Sequence, residues 1–207
     1  MIMDVFVKIC GVANLDDLRE VAALKPDALG FVLWPDSPRF INPDDLIKWL
    51  PMVSTDAMKV GVFVNPEPRS AIEIMRKARL DVIQLHGDGS IEPYVTAGFR
   101  VWKAVHADRM KNTDNPGGRI DAYVADTYSK ELPGGTGKVG NWEAVRTLVQ
   151  STDIPVILAG GLNPSNVRSA LRAVNPWGVD VSSGVEAGPG KKNINSVREF
   201  ILQCRNM

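Results

Sequence analysis

A cysteine and an aspartate, each at the end of a short apolar run, are the residues best suited to moving protons. Cys10 ends the run VFVKIC, and Asp126 ends the run AYVAD. A thiolate can act as a nucleophile or a base if its pKa is lowered, and a carboxyl group with a shifted pKa can also be catalytic. A lone cysteine is also a common core residue, and a buried aspartate can be structural if hydrogen-bond donors surround it. Both residues are therefore candidates for acid–base catalysis.

Glycine and serine residues follow the last two predicted strands and are candidates for binding phosphate. Glycine lets backbone N–H groups approach an anion, and serine hydroxyls add further donors. In barrels of alternating strands and helices, the loops after strands seven and eight often bind phosphate. Turn chemistry alone could explain either group. Their joint placement favours phosphate binding at Gly160, Gly161, Ser182, Ser183 and Gly184.

A further glycine-rich segment spans residues 134–138. It fails the P-loop pattern GxxxxGK[ST], because Leu132 stands at the first glycine position and Val139 at the Ser/Thr position. The segment is either a flexible loop over the mouth of a site or a linker to the next helix.

Three more polar residues could contact a substrate. Arg39 follows a proline-stiffened loop, and its planar guanidinium suits a carboxylate, although an exposed arginine can simply be solvated. His86 could orient a substrate or satisfy a polar rim. Asp180 and Ser182 are two residues apart on the predicted eighth strand, so both side chains should point into the barrel. We keep Asp180 as a candidate substrate contact, although a structural pair with Lys8 is the interpretation we prefer.

Short runs rich in Val, Ile and Phe alternate with helical patterns and predict the elements that position these residues. The predicted strands are Val5–Cys10, Ala28–Leu33, Lys59–Val64, Val82–His86, Arg100–Val105, Ala122–Asp126, Val156–Ala159 and Val179–Ser182. The predicted helices include Leu15–Leu24 with Asn14 as N-cap, Glu67–Arg79, Trp142–Gln150, Ile194–Cys204 and a segment from Asn163 and Pro164 to Ala173. The segment Asp108–Gly118 is polar and has little periodicity, and a fifth helix is predicted there.

Strands that alternate with helices imply parallel pairing through helical crossovers. Eight such units predict an α/β protein, with residues 1–207 forming a single (β/α)8 TIM-barrel domain. A doubly wound open sheet is the alternative, but the turn after the first strand lacks its GxGxxG pattern. On the first strand, the apolar face should pack on helices, which leaves three residues to line the barrel: Phe6, Lys8 and Cys10.

Composition excludes several classes of protein. The 24 Lys and Arg residues balance 24 Asp and Glu, which argues against nucleic acid or an anionic membrane as a partner. No window approaches the ~18 apolar residues that a membrane span needs, and the first residues do not form a secretory signal. The two cysteines lack metal-ligand spacing, so we expect a reducing compartment, the cytoplasm, and no structural metal.

Several short segments, taken in their order along the chain, carry a family resemblance. They are Lys8–Gly11, Gly30–Val32 with Ser37–Arg39, Val60–Asn65, Gln84–Gly87, Asp126, Gly134–Gly137, Leu158–Pro164 and Asp180–Glu186. Together they resemble the phosphoribosylanthranilate isomerase family of tryptophan biosynthesis, nearly from end to end. Where that family often has Lys-Asp before its last helix, this sequence has Lys192-Asn193.

The resemblance implies a (β/α)8 barrel that rearranges N-(5′-phosphoribosyl)anthranilate to 1-(2-carboxyphenylamino)-1-deoxyribulose 5-phosphate without a cofactor. It implies that Asp126 is the general acid and Cys10 the general base. We expect the pKa of Asp126 to be raised and that of Cys10 to be lowered. It further implies that Arg39 binds the anthranilate carboxylate and that Gly135, Thr136 and Gly137 belong to the phosphate loops. The expected partner is a small phosphoribosyl substrate, and the expected state is a monomer or a homodimer.

Three other functions deserve comparison. Histidine-pathway isomerases perform the same rearrangement with two aspartates, and Cys10 argues against them. Indole-glycerol-phosphate synthase uses a lysine as its acid, whereas Lys8 should lie deeper in the barrel than Cys10. A non-catalytic barrel that binds a phosphorylated metabolite or a flavin phosphate would not need both an acid and a base. An isomerase is therefore the predicted function.

Overall fold

Eight parallel strands close into a barrel, as the alternation of strands and helices predicts. The computed structural model describes residues 5–108, 110, 119–127 and 141–206. Each strand pairs in parallel with the next one along the chain, and the eighth pairs with the first. The barrel strands are β1 (Phe6–Cys10), β2 (Ala28–Val32), β3 (Met58–Val64), β4 (Val82–His86), β5 (Arg100–His106), β6 (Ala122–Asp126), β7 (Val156–Ala159) and β8 (Gly178–Val181). Every predicted strand boundary agrees with these to within one residue.

Within the described ranges, seven α-helices pack around the barrel. They are α1 (Leu15–Ala23), α2 (Pro43–Trp49), α3 (Pro68–Lys77), α4 (Glu92–Thr96), α5 (Trp142–Ser151), α6 (Val167–Val174) and α7 (Ile194–Arg205). The predictions for α1, α3, α5 and α7 are correct to within two residues. The predicted helix at 108–118 falls almost wholly outside the described residues. No helix in the described part of the chain is long and apolar enough to cross a membrane.

The predicted start of one helix is correct and that of another is wrong. Asn14 caps α1 as predicted, because its side-chain oxygen accepts a hydrogen bond from the Asp17 backbone N–H at 2.8 Å. The predicted start of α6 at Asn163 and Pro164 is wrong, since the helix begins at Val167. The Asn163 side chain instead accepts from the Ser165 N–H and closes a turn that precedes the helix.

The side chains form two apolar layers, one inside the barrel and one between strands and helices. Val7 and Ile9 belong to the outer layer, while Phe6 and Cys10 belong to the inner one. Lys8 is fully buried. The predicted inward face of β1 is therefore confirmed.

Three aspartates join neighbouring strands at the amino-terminal end of the barrel. Each precedes an even-numbered strand and accepts a hydrogen bond from a backbone N–H of the preceding strand at 2.7 Å: Asp27 from Val7, Asp81 from Lys59, and Asp121 from Val101. In each pair the aspartate N–H donates back to the carbonyl of the same partner. Trp177 occupies the equivalent position before β8 and stacks on Phe6 with ring centroids 4.4 Å apart.

A short hairpin follows β8 and was not predicted. After a 3-10 turn at Ser183–Val185, strand β9 (Glu186–Gly188) pairs antiparallel with β10 (Lys191–Lys192). The Lys192 backbone N–H donates to the Asp17 carboxylate at 2.7 Å, which ties the hairpin to the start of α1. Asn193 then caps α7 by accepting from the Ser196 N–H.

Candidate active site

The carboxyl ends of the barrel strands surround a cavity of about 680 Å³. Its wall contains nine of the residues that sequence reasoning selected: Cys10, Arg39, His86, Asp126, Gly160, Gly161, Asp180, Ser182 and Ser183. Gly184 packs instead against the loop after β7, where a Cβ atom would overlap the carbonyl oxygen of Leu162. Gly135, Thr136 and Gly137 lie outside the described residues. One cavity therefore brings together most of the predicted site.

Cys10 and Asp126 reach this cavity from different strands. Cys10 is the last residue of β1 and is 8% exposed, and Asp126 is the last residue of β6 and is half-buried. Gly160, with φ of +90°, leaves the space that the Asp126 carboxylate occupies, because a Cβ atom there would overlap it. The backbone of the loop after β7 thus shapes the position of the candidate acid.

The expectation that the pKa of Cys10 is lowered is wrong for this structure. Burial raises the pKa of the Cys10 thiol above its ordinary value, and the opposing effects of Lys8 and Lys192 do not compensate. Asp180 adds a negative charge that raises it further. Cys10 is therefore a thiol at neutral pH.

Lys8 and Asp180 form the buried pair that the sequence suggests. They are register partners on β1 and β8, and Lys8 Nζ lies 2.8 Å from Asp180 Oδ2. Burial alone would lower the pKa of Lys8, but Asp180 raises it, so that Lys8 remains a cation. The other oxygen of Asp180 is buried and has no hydrogen-bond partner among the described residues. This oxygen is available to a donor that enters the cavity.

His86 is a neutral group at physiological pH. Burial lowers its pKa to about 4, and the nearby positive charge of Lys8 adds to the effect. Gln84 Nε2 lies 3.0 Å from His86 Nε2, so with this amide orientation the ring proton sits on Nδ1. His86 can therefore orient a ligand through a neutral hydrogen bond.

Arg39 lies at the cavity wall, but part of its guanidinium is already occupied. Its Nε and Nη2 atoms each donate to one carboxylate oxygen of Glu186 at 2.8 Å. Lys192 Nζ donates to the same carboxylate at 2.9 Å. Sequence reasoning missed the roles of Glu186 and Lys192, because neither the charge nor the spacing of these residues distinguishes them from solvated surface residues.

The loops after β7 and β8 have the geometry expected of an anion site. Gly160 and Gly161 both have positive φ angles, which let the backbone turn sharply beside the cavity. The buried Ser182 hydroxyl has no hydrogen-bond partner in the part of the chain that the structure describes. No group of three or more His, Cys, Asp or Glu residues that could hold a metal ion occurs among these residues either.

Fold and site together define a TIM-barrel enzyme whose cavity combines a thiol, a carboxyl group and donors for anions. Comparison with known proteins gives the family. Residues 7–203 match the family model described as N-(5′phosphoribosyl)anthranilate (PRA) isomerase, and the chain belongs to that family.

Individual relatives agree with this assignment. The chain is 39% identical to N-(5′-phosphoribosyl)anthranilate isomerase of Geobacter metallireducens, over 96% of this chain and 98% of the relative. The crystal structure of phosphoribosyl anthranilate isomerase from Thermotoga maritima is 38% identical, with a TM-score of 0.87 over 98% of this chain and all of that one. A phosphoribosyl anthranilate isomerase in complex with reduced 1-(o-carboxyphenylamino)-1-deoxyribulose 5-phosphate is 35% identical, with a TM-score of 0.83 and the same coverage.

Proposed function

We propose that this chain, as one barrel domain, isomerises N-(5′-phosphoribosyl)anthranilate to 1-(2-carboxyphenylamino)-1-deoxyribulose 5-phosphate in tryptophan biosynthesis. The observation that carries the proposal is that Cys10 and Asp126, from strands β1 and β6, line one cavity of about 680 Å³. A solved relative binds a reduced form of this product. A barrel that merely binds a phosphorylated ligand would have no use for both groups.

The reaction needs one proton donor and one proton acceptor. Asp126 gives a proton to the ring oxygen as the bond from that oxygen to C1′ breaks, and the nitrogen lone pair forms an iminium ion. The Cys10 thiolate then removes the C2′ proton, and the electrons of the C–H bond form a C1′–C2′ double bond while the iminium electrons return to nitrogen. A proton added at C1′ and one lost from the C2′ hydroxyl give the ketone. Acid–base groups of this kind contribute about 10² to 10⁴-fold each.

Cys10 must lose its proton before it can act as the base. Burial favours the thiol form of Cys10. An iminium cation formed beside the sulfur would favour the thiolate, because a nearby positive charge lowers the pKa of a thiol. Substrate binding and deprotonation of Cys10 are therefore coupled in this proposal.

The remaining groups hold the two anionic ends of the substrate. The phosphate binds to Gly160, Gly161, Ser182 and Ser183. We also assign residues 135–137 and Gly184 to phosphate binding. Arg39 binds the anthranilate carboxylate, while His86 and the free oxygen of Asp180 contact the ribose hydroxyls. No metal or cofactor takes part.

The setting of the enzyme follows from the same features. Cys10 and Cys204 are free, buried thiols, which supports a cytoplasmic location. We infer that the enzyme is a monomer or a homodimer, because a solved relative from Thermotoga maritima is described as monomers generated from a dimeric enzyme.

The test is turnover of N-(5′-phosphoribosyl)anthranilate, followed by the loss of its fluorescence. We expect Cys10→Ala and Asp126→Asn to reduce kcat by at least about 100-fold, while circular dichroism shows an unchanged fold. Cys204→Ala, which removes a buried thiol on α7 far along the chain from the site, is the matched control and should retain activity. Full activity of either site variant would remove that residue from the mechanism, and failure of the wild-type chain to complement a tryptophan auxotroph blocked at this step would reject the function.

A further inference from the structure

Glu186 lies between two positive side chains at the edge of the cavity. Its carboxylate is only 4% exposed and accepts hydrogen bonds from Arg39 and Lys192. The bonds from Arg39 Nε and Nη2 are both 2.8 Å long, and the bond from Lys192 Nζ is 2.9 Å long. A buried carboxylate with three such bonds has one well-defined orientation, and so does the guanidinium that it holds.

The geometry leaves one edge of the Arg39 guanidinium free. A guanidinium has five N–H donors. Glu186 takes the N–H of Nε and one N–H of Nη2, which form the side edge of the group. The end edge, formed by one N–H of Nη1 and the second N–H of Nη2, has no hydrogen-bond partner among the described residues, and Arg39 lines the cavity. Two parallel N–H groups of this kind match the two oxygens of a carboxylate.

Lys192 fixes Glu186 to the barrel itself. Its side chain is fully buried, and Nζ also donates to the carbonyl oxygens of Cys10 at 2.6 Å and Ser182 at 3.3 Å. The backbone N–H of Lys192 donates to Asp17 at the start of α1. The orientation of Arg39 is therefore tied, through Glu186 and Lys192, to the ends of β1 and β8.

The stem of Arg39 is confined as well. It passes over Gly11, where a Cβ atom would lie 2.8 Å from Arg39 Cδ. Gly190, in the turn of the hairpin, brings the backbone close to the Pro38 carbonyl oxygen, which a Cβ atom there would approach to 3.0 Å. Glycine at these two positions lets the hairpin and the segment after β1 approach Arg39 and its neighbour Pro38 closely.

The charges favour an additional anion. Burial would raise the pKa of Glu186, but the hydrogen bonds from Arg39 and Lys192 lower it below its ordinary value, so Glu186 is ionised at neutral pH. Arg39 and Lys192 together carry two positive charges against the one negative charge of Glu186. A carboxylate at the free edge of Arg39 would balance the remaining charge of this trio.

We propose that Glu186, held by Lys192, is a positioning residue that turns the free edge of Arg39 into the cavity and so makes the enzyme selective for a substrate whose aryl group carries a carboxylate. The proposal rests on the proposed function, in which Arg39 binds the anthranilate carboxylate. It assigns the selectivity to a residue of the hairpin that contacts no part of the substrate.

The test compares Glu186→Gln with the wild-type enzyme on two substrates, N-(5′-phosphoribosyl)anthranilate and N-(5′-phosphoribosyl)aniline, which lacks the carboxylate. For the anthranilate substrate we expect kcat/KM to fall about 10- to 100-fold, mainly through KM. The reason is that the Arg39 guanidinium no longer points its two N–H groups at the substrate carboxylate. For the aniline substrate we expect a change of less than about 3-fold. Glu73→Gln, which breaks the exposed pair with Lys77 on α3, is the control and should leave both substrates unaffected.

Glu186→Asp is made in parallel, because it keeps the buried negative charge but is too short to hold both cations in the same geometry. It should show the same selective loss, and thermal unfolding checks that each variant is folded. An equal loss on both substrates, or no loss on either, would overturn the positioning role alone. Absence of turnover of N-(5′-phosphoribosyl)anthranilate by the wild-type enzyme would overturn the proposed function and this role together.

Discussion

Cys10 shows that burial can outweigh two nearby positive charges. Lys8 and Lys192 both lower the pKa of its thiol, yet the surrounding apolar barrel raises that pKa above the ordinary value of 9.0. Desolvation disfavours the charged form of any group, and Cys10 lies within the inner apolar layer. The candidate base therefore rests in its protonated form.

The pH dependence of thiol reactivity follows from this state. Because only the thiolate reacts with iodoacetamide, we expect the rate of alkylation of Cys10 in the free enzyme to rise with pH throughout the neutral range and to level off only above about pH 9. The measurement is that rate at intervals from pH 6 to 10, with Cys10→Ala as the control that reports any reaction at Cys204. A plateau reached below pH 7 would show that the Cys10 thiol is already ionised and would contradict the effect of burial.

At the scale of single residues, the position of a side chain can be predicted from the sequence when the strand that carries it determines that position. Cys10 and Asp126 end apolar strands, so alternation along the strand and the geometry of a barrel place both at the mouth. The contact between Arg39 and Glu186 joins residues 147 positions apart. Nothing in either local segment indicates that the two side chains meet, which is why a solvated Arg39 and a bound one could not be distinguished from the sequence.

At the scale of single elements, the barrel strands could be predicted because each is a run of buried apolar residues. Strands β9 and β10 could not be predicted, since they contain three and two residues and are charged or small. They form because the loop after β8 folds back over the barrel, where Lys192 Nζ donates to the carbonyl oxygens of Cys10 and Ser182 and to the Glu186 carboxylate. Tertiary contacts determine these strands, and local propensity does not.

The aspartates at the amino-terminal end of the barrel give a test at this scale. Asp27→Ala would leave the buried N–H of Val7 without its acceptor and would remove the partner of Arg205, which donates to Asp27 at 2.6 Å. We expect the free energy of unfolding in urea to fall by about 1 to 3 kcal/mol. Asp16→Ala, at a position 89% exposed, is the matched control and should change it little. Equal stability of the two variants would show that the Asp27 carboxylate does not fasten β1.

At the scale of the whole molecule, His86 links folding to pH. Its pKa is about 4 in the folded chain and 6.5 ordinarily, so between these values the unfolded chain binds a proton that the folded chain does not. The contribution of the neutral His86 imidazole to the free energy of unfolding is therefore fully present above pH 6.5 and is lost as the pH falls towards 4. A shift of this size corresponds to at most about 3 kcal/mol.

Urea unfolding at pH 7 and pH 5 measures this contribution. The wild-type chain should lose more stability between the two values than His86→Gln, because the variant has no imidazole to protonate. His106→Gln, which removes an exposed histidine at the end of β5, should behave like the wild type. If His86→Gln and the wild type lost the same amount, the buried imidazole would not be the group responsible.

The Phe6–Trp177 stack has a consequence for how the barrel responds to cold. Three of the two-strand units have an aspartate before their second strand, whereas Trp177 stands at that position before β8 and stacks on Phe6 of β1. Apolar association weakens on cooling. Chilling should therefore weaken the contribution of this stack at the end of the barrel opposite the chemistry, while the backbone pairing of β8 with β1 persists.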